Sequence, residues 1–137
     1  MFVSLSIMLC GVAQADEAKK PINLVKNGGF EEEGSWPFIP SGAVSEGKIV
    51  AGIAHSGRHS FWMTNKSAFA PNVYARIVQP QSGLRPFTTY RISCWVKGED
   101  VGIDWIGGGP GWTQRFHFPK GTYDWTEVSA ETTTGPD

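Results

Sequence analysis

The sequence predicts an all-β protein, an antiparallel β-sandwich of the jelly-roll kind. Three observations lead there. Glycine and proline punctuate the chain at close intervals from Gly28 to Gly121, the runs between them have strand length, and no stretch keeps helical periodicity over three turns. The run Tyr90-Arg91-Ile92-Ser93-Cys94-Trp95-Val96-Lys97 alternates, with Tyr90, Ile92, Cys94 and Val96 on one face and Arg91, Ser93, Trp95 and Lys97 on the other. Six tryptophans, eight phenylalanines and three tyrosines among 137 residues suit a β body with aromatic surface, and that length suits one domain.

The elements follow in order. Residues 1–15 carry no charge and hold an apolar run that ends in Ala13-Gln14-Ala15. This reads as a signal peptide, too short for a bilayer-spanning helix and with small residues at the cleavage position, although no Lys or Arg precedes the run. Cleavage would carry Cys10 away. Leu9 before it is too large for a lipoprotein signal, so the expected location is secreted, extracellular or periplasmic, with no membrane attachment after processing. Residues 16–21 are a polar linker. Strands are predicted at Ile22–Lys26, Gly47–Ala51, His59–Asn65, Tyr74–Gln79, Tyr90–Lys97, Gly102–Ile106, Thr113–Phe118 and Trp125–Thr132. The Tyr90 strand is central, because its apolar side chains each contribute roughly 1.5 to 3 kcal/mol when buried.

The first strand runs into Asn27-Gly28-Gly29-Phe30-Glu31-Glu32-Glu33-Gly34, where the glycine pair permits a sharp turn that returns Phe30 to the core. Read alone, Glu31 to Glu33 are a solvated acidic loop; acids beside free carbonyls also suit calcium. Cys94, left alone after cleavage, is read as a small core residue. Net charge is −1 with scattered Lys and Arg, which leaves no footprint for nucleic acid. Gly107 to Gly111 lacks the lysine and helix of a phosphate loop. Catalysis finds no support: His55, His59 and His117 and the acids Asp100, Asp104, Glu127 and Glu131 show no spacing that faces two carboxyls across a cleft, and Ser56 lies in no nucleophile elbow. Asn65-Lys66-Ser67 is a glycosylation acceptor pattern with meaning only in a eukaryotic secretory route.

Three blocks, Asn23-Leu24-Val25-Lys26-Asn27-Gly28-Gly29-Phe30-Glu31, Gly52-Ile53-Ala54-His55-Ser56-Gly57-Arg58-His59-Ser60 and Thr89-Tyr90-Arg91-Ile92-Ser93-Cys94-Trp95-Val96-Lys97-Gly98, occur in an order that resembles the carbohydrate-binding modules of families 4, 9 and 22. Tyr123-Asp124-Trp125-Thr126-Glu127-Val128 resembles the strand that follows. The resemblance covers nearly all of residues 22–137 and implies a galactose-binding-like jelly roll. It also implies that the last one or two strands are missing here, including an aspartate that helps fix calcium. A structural Ca2+ would then take Glu31 or Glu33 and the turn around Ser56, with further carbonyls from the Asn27 region.

The ligand implied is a polysaccharide or oligosaccharide. An aromatic face stacks on a pyranose ring while flanking groups bond its hydroxyls. Trp95, Trp112, Trp62, Tyr74, Arg76 and Gln114 are the candidate carbohydrate-binding residues, with Trp105 of the same type, whereas Trp36 and Trp125 are read as core. The expected function is non-catalytic binding by an exported module, a monomer or part of a longer multidomain chain, that tethers an appended enzyme to its substrate. The alternatives are the ancillary N-terminal part of a glycoside hydrolase or lyase, and a protein-binding or adhesion sandwich.

Overall fold

A computed structural model describes residues 2–8, 22–40, 44–66, 73–108 and 114–136, the first of these as backbone only. Every regular element among them is a strand: β1 Phe2–Met8, β2 Phe38–Ile39, β3 Ser45–Ala51, β4 His59–Asn65, β5 Arg76–Ile77, β6 Thr89–Val101, β7 Trp105–Gly108, β8 Gln114–His117 and β9 Gly121–Thr133. All pairings are antiparallel. One layer is a five-stranded sheet of order β3-β4-β1-β6-β9, and the other consists of two small two-stranded sheets, β2-β5 and β7-β8.

Each small sheet has its own core against the large sheet. Val25, Phe30, Trp36, Phe61 and Met63 form one cluster with Phe38 of β2 and Ile77 of β5, and Cys94, Val96 and Phe118 form the other with Ile106 of β7. The alternation in β6 is realised, because Tyr90, Cys94 and Val96 are buried and Arg91, Trp95 and Lys97 take the opposite face. On that outer face Arg91 pairs with Glu127 at 3.1 Å and Lys97 with Asp124 at 2.7 Å, so ion pairs cross from β6 to β9. Gly98 is buried where a Cβ would run into the Tyr123 ring, and the register shifts on both sides of it.

The turn after Val25 returns Phe30 to the interior, where it is fully buried with its ring 5.5 Å from Trp36 and 5.7 Å from Phe61. The left-handed φ falls on Asn27 (49°) and Phe30 (58°), not on the two glycines between them. Asn27 sustains this through its bonds: its carbonyl accepts from the Phe30 amide at 3.0 Å and from Trp36 Nε1 at 2.9 Å, while its side chain bonds both polar backbone groups of Glu32.

Several strands differ from expectation. Ile22–Lys26 shrinks to an isolated bridge at Asn23, because side chains replace a ladder there. Asn23 Oδ1 accepts the Val25 amide, and the Gln79 side-chain amide both accepts from the Lys26 N–H and donates to its carbonyl, each at 2.9 Å. The Tyr74 segment keeps only two strand residues, whereas β6 and β9 extend to 13 residues each.

The largest difference is β1. Its backbone, within the stretch that reads as a signal peptide, pairs with β6 from Phe2↔Lys97 to Met8↔Arg91 and with β4 at Phe2↔Trp62 and Val3↔Phe61. Hydrophobic runs of seven residues serve a leader and a buried strand equally, so composition does not separate the two. Since β1 is central, Leu5→Pro in the full chain should remove a ladder hydrogen bond and cost at least about 2 kcal/mol of stability, read by urea denaturation. An unchanged midpoint would show that the strand contributes nothing.

Candidate functional site

The second layer is split, and a cleft of about 1060 Å³ opens at the split. One wall is the chain from Tyr74 to Gln81, the other is β7 with Asp104 before it and Gln114 of β8 beside it, and Tyr90 and Ile92 of β6 form part of the floor. Residues 132–136 close one rim. They are fixed there by Thr134, whose amide donates to the Thr88 carbonyl and whose hydroxyl accepts the Thr88 amide, each at 3.0 Å. A volume of this size far exceeds the voids of a close-packed interior, which are little larger than a water, and makes the cleft the candidate ligand site.

Trp36, Tyr74, Tyr90, Trp105 and Phe118 line it, and two of these, Tyr74 and Trp105, have a guanidinium nearby. Arg76 lies 5.7 Å from the Tyr74 ring centre, and Arg115 lies 5.1 Å from that of Trp105. The polar groups are unequal in availability. Gln79 is committed to Lys26, and Gln81 Nε2 donates back to Gln79 Oε1 at 3.1 Å, whereas Gln114 is exposed. Asp104, the only acid among the described lining residues, accepts the Trp105 amide at 2.8 Å, and burial pushes its carboxyl up to about 6. The same burial raises the neighbouring Tyr123 phenol, whose oxygen has no partner among the described residues, and lifts the Cys94 thiol to about 12. Cys94 is therefore an inert core thiol, as read from the sequence.

The structure brings Tyr74, Arg76 and Gln114 together in the cleft, with Trp105. Trp62 and Trp95 lie elsewhere, on the outer face of the five-stranded sheet, because Phe61, Met63, Cys94 and Val96 take the inner face. Lys48 sits 5.7 Å over Trp62. The Trp95 ring is covered by His55, stacked at 3.7 Å and 7°, with Trp125 meeting His55 edge-on at 5.9 Å; Trp125 is thus half-buried in this outer cluster, not core. Trp36 is core. Trp112 lies outside the described residues. The places of Asp104 and Gln79 at the cleft were not foreseen, since neither spacing nor residue type signals which segments far off in sequence will enclose a carboxylate or an amide.

Glu31 does reach the turn around Ser56, as the resemblance implied, but it meets donors there. Its Oε1 accepts the amides of Arg58 at 2.7 Å and His59 at 3.2 Å, and its Oε2 lies 2.6 Å from His59 Nδ1. Glu33 and Ser56 are exposed. Calcium takes six to eight oxygens, whereas this turn presents N–H groups to a single carboxylate, and no cluster of three His, Cys, Asp or Glu among the described residues is placed to hold a metal. As arranged, the turn is an acid-to-amide clasp.

The two perturbed acids predict opposite pH dependences. The Arg58 amide, then the His59 side chain, hold Glu31 down at about 2, so its stabilisation is present at neutral pH and lost as pH falls from about 4.5 through 2. Glu31→Gln should lower the melting midpoint at pH 7, with the difference closing below pH 3. Asp104 has the reverse sign: its folded value lies above 3.8, so a penalty on the order of 3 kcal/mol develops as pH rises from about 4 to 6. Asp104→Asn should raise the midpoint at pH 7 and leave it unchanged at pH 4.

Comparison with curated proteins and with solved structures returned no match. A family model described as a carbohydrate binding domain, CBM_4_9, matches residues 22–137, the whole chain after its leader-like segment and linker. With that extent of match, on an all-β antiparallel sandwich with an aromatic-lined cleft, the chain belongs to the CBM_4_9 carbohydrate binding domain family.

Proposed function

We propose that the cleft between the two small sheets holds a polysaccharide or oligosaccharide without chemically altering it. The observation that carries this reading is the cleft itself: Tyr74 and Trp105 offer ring faces to a pyranose, and Asp104 and Gln114 offer hydrogen-bonding groups to its hydroxyls. A lone acid among the described lining residues is not the facing pair that glycoside hydrolysis uses. The domain thus acts by binding, and its benefit to an appended enzyme is effective concentration at the substrate, which needs no chemistry in the module.

Export by way of residues 1–15, into the extracellular space or a periplasm, belongs to the same reading, as does a jelly-roll connectivity. Export has a structural consequence. Cleavage after Ala15 removes β1, so a processed module needs another strand between β4 and β6 to keep its sheet whole.

The test is affinity electrophoresis of the protein against xylan, β-glucans and mannan. Tyr74→Ala and Trp105→Ala should each weaken binding about tenfold, the loss of roughly 1.4 kcal/mol of stacking, while Trp95→Ala should leave it unchanged. Loss in Trp95→Ala alone would move the site to the outer face of the large sheet. Unretarded migration of folded protein on every polymer would end the carbohydrate reading.

A further inference from the structure

Arg76 is a group that a neutral sugar does not require. Its Nε is buried and has no hydrogen-bond partner among the described residues. A buried cationic donor left unpaired is costly, and such a group persists where something else satisfies it. The guanidinium face is occupied by the Tyr74 ring, 5.7 Å away, which leaves its edge, the row of N–H donors, for a ligand in the cleft.

No acid among the described residues fills that role. The ion pairs among the described residues join Glu31 to His59, Glu127 to Arg91 and Asp124 to Lys97, so none uses Arg76 or its neighbour on the cleft wall, Arg85. Asp104 does not neutralise them either. Its carboxyl is pushed upward by burial, and an adjacent guanidinium would have drawn it the other way. The described lining therefore has two cations without a counter-charge, one of them with its inner donor orphaned.

The planar fork of an arginine matches a carboxylate, which accepts two parallel N–H bonds. We propose that the cleft selects a glycan bearing carboxylates, a uronate-containing polysaccharide, with one uronate carboxylate seated on the outer Nη donors of Arg76. This rests on the reading of the cleft as a glycan site and adds the class of glycan. Arg85, at the same wall, supplies long-range attraction for the next charge along the chain.

Polygalacturonate and its fully methyl-esterified form share a backbone and differ in charge, so they separate the two claims. In affinity electrophoresis and calorimetry with the full chain at low salt, the acid polymer should bind at least about tenfold more tightly than the ester, and the preference should shrink as salt rises. Arg76→Gln should bring the acid polymer to the affinity of the ester. Arg76→Lys, which keeps the charge and loses the fork, should recover only part of the preference. Equal binding of acid and ester by the native protein, or an undiminished preference in a folded Arg76→Gln variant, overturns the uronate proposal while the glycan site stands. If Arg76→Gln fails to fold, the acid-against-ester comparison on the native chain decides alone. Binding of neither polymer, with xylan, β-glucan and mannan also unbound, overturns both readings together.

Discussion

Two antiparallel pairs, β3 with β4 and β6 with β9, become one sheet only through a seven-residue strand lying between them. That pairing is the constraint on which the rest depends. β4 contributes Phe61 and Met63 to one core, and β6 contributes Cys94 and Val96 to the other, so the distance between the cores is the width that β1 occupies. The cleft opens at the split between the two small sheets. Without a strand in that position β4 and β6 present unpaired backbone edges toward each other, the arrangement that most invites pairing with a foreign strand.

Against this sheet, the segment from Asn23 to Trp36 is held by side chains more than by a ladder. Asn27, Glu31 and Gln79 each bond backbone groups that a neighbouring strand would otherwise satisfy. The consequence is geometric. A tight turn locked by Asn27 sets Phe30 and Trp36 into the core, and Gln79, anchored to Lys26 on that segment, fixes the wall from which Tyr74 and Arg76 meet the cleft. The acidic turn that suggested a metal from sequence thus has a mechanical role, with Glu31 fastening the 52–59 turn to the start of the domain through two amides and a histidine.

The cleft is chemically asymmetric. Asp104 is placed where burial favours its neutral form, whereas Arg76 keeps a buried donor with no partner among the described residues. Both are unfavourable for folding taken alone, and such local conflicts concentrate where binding is served. Aromatic faces supply the contact that any pyranose accepts, and the charge balance supplies discrimination among glycans.

Much of this was legible in the residues. Period-two alternation in Tyr90–Lys97 gave the central strand and its inner face, the residues around Gly28-Gly29 gave the return of Phe30, and the three ordered blocks gave the family. These are local signals, carried by spacing within about ten residues. What only the tertiary structure decided depends on distant partners. An apolar run at residues 2–8 is a leader or a strand according to whether β4 and β6 flank it. Trp95, on the correct polar face, is covered by His55 from a turn 40 residues earlier. Asp104 is half-buried beside the cleft, Arg76 has no acid partner among the described residues, and Glu31 is bound to amides 27 and 28 residues away. Alternation states which side of a strand a residue occupies, whereas burial and pairing are properties of the packed layers, and these alone made the cleft from Tyr74, Arg76, Trp105 and Gln114.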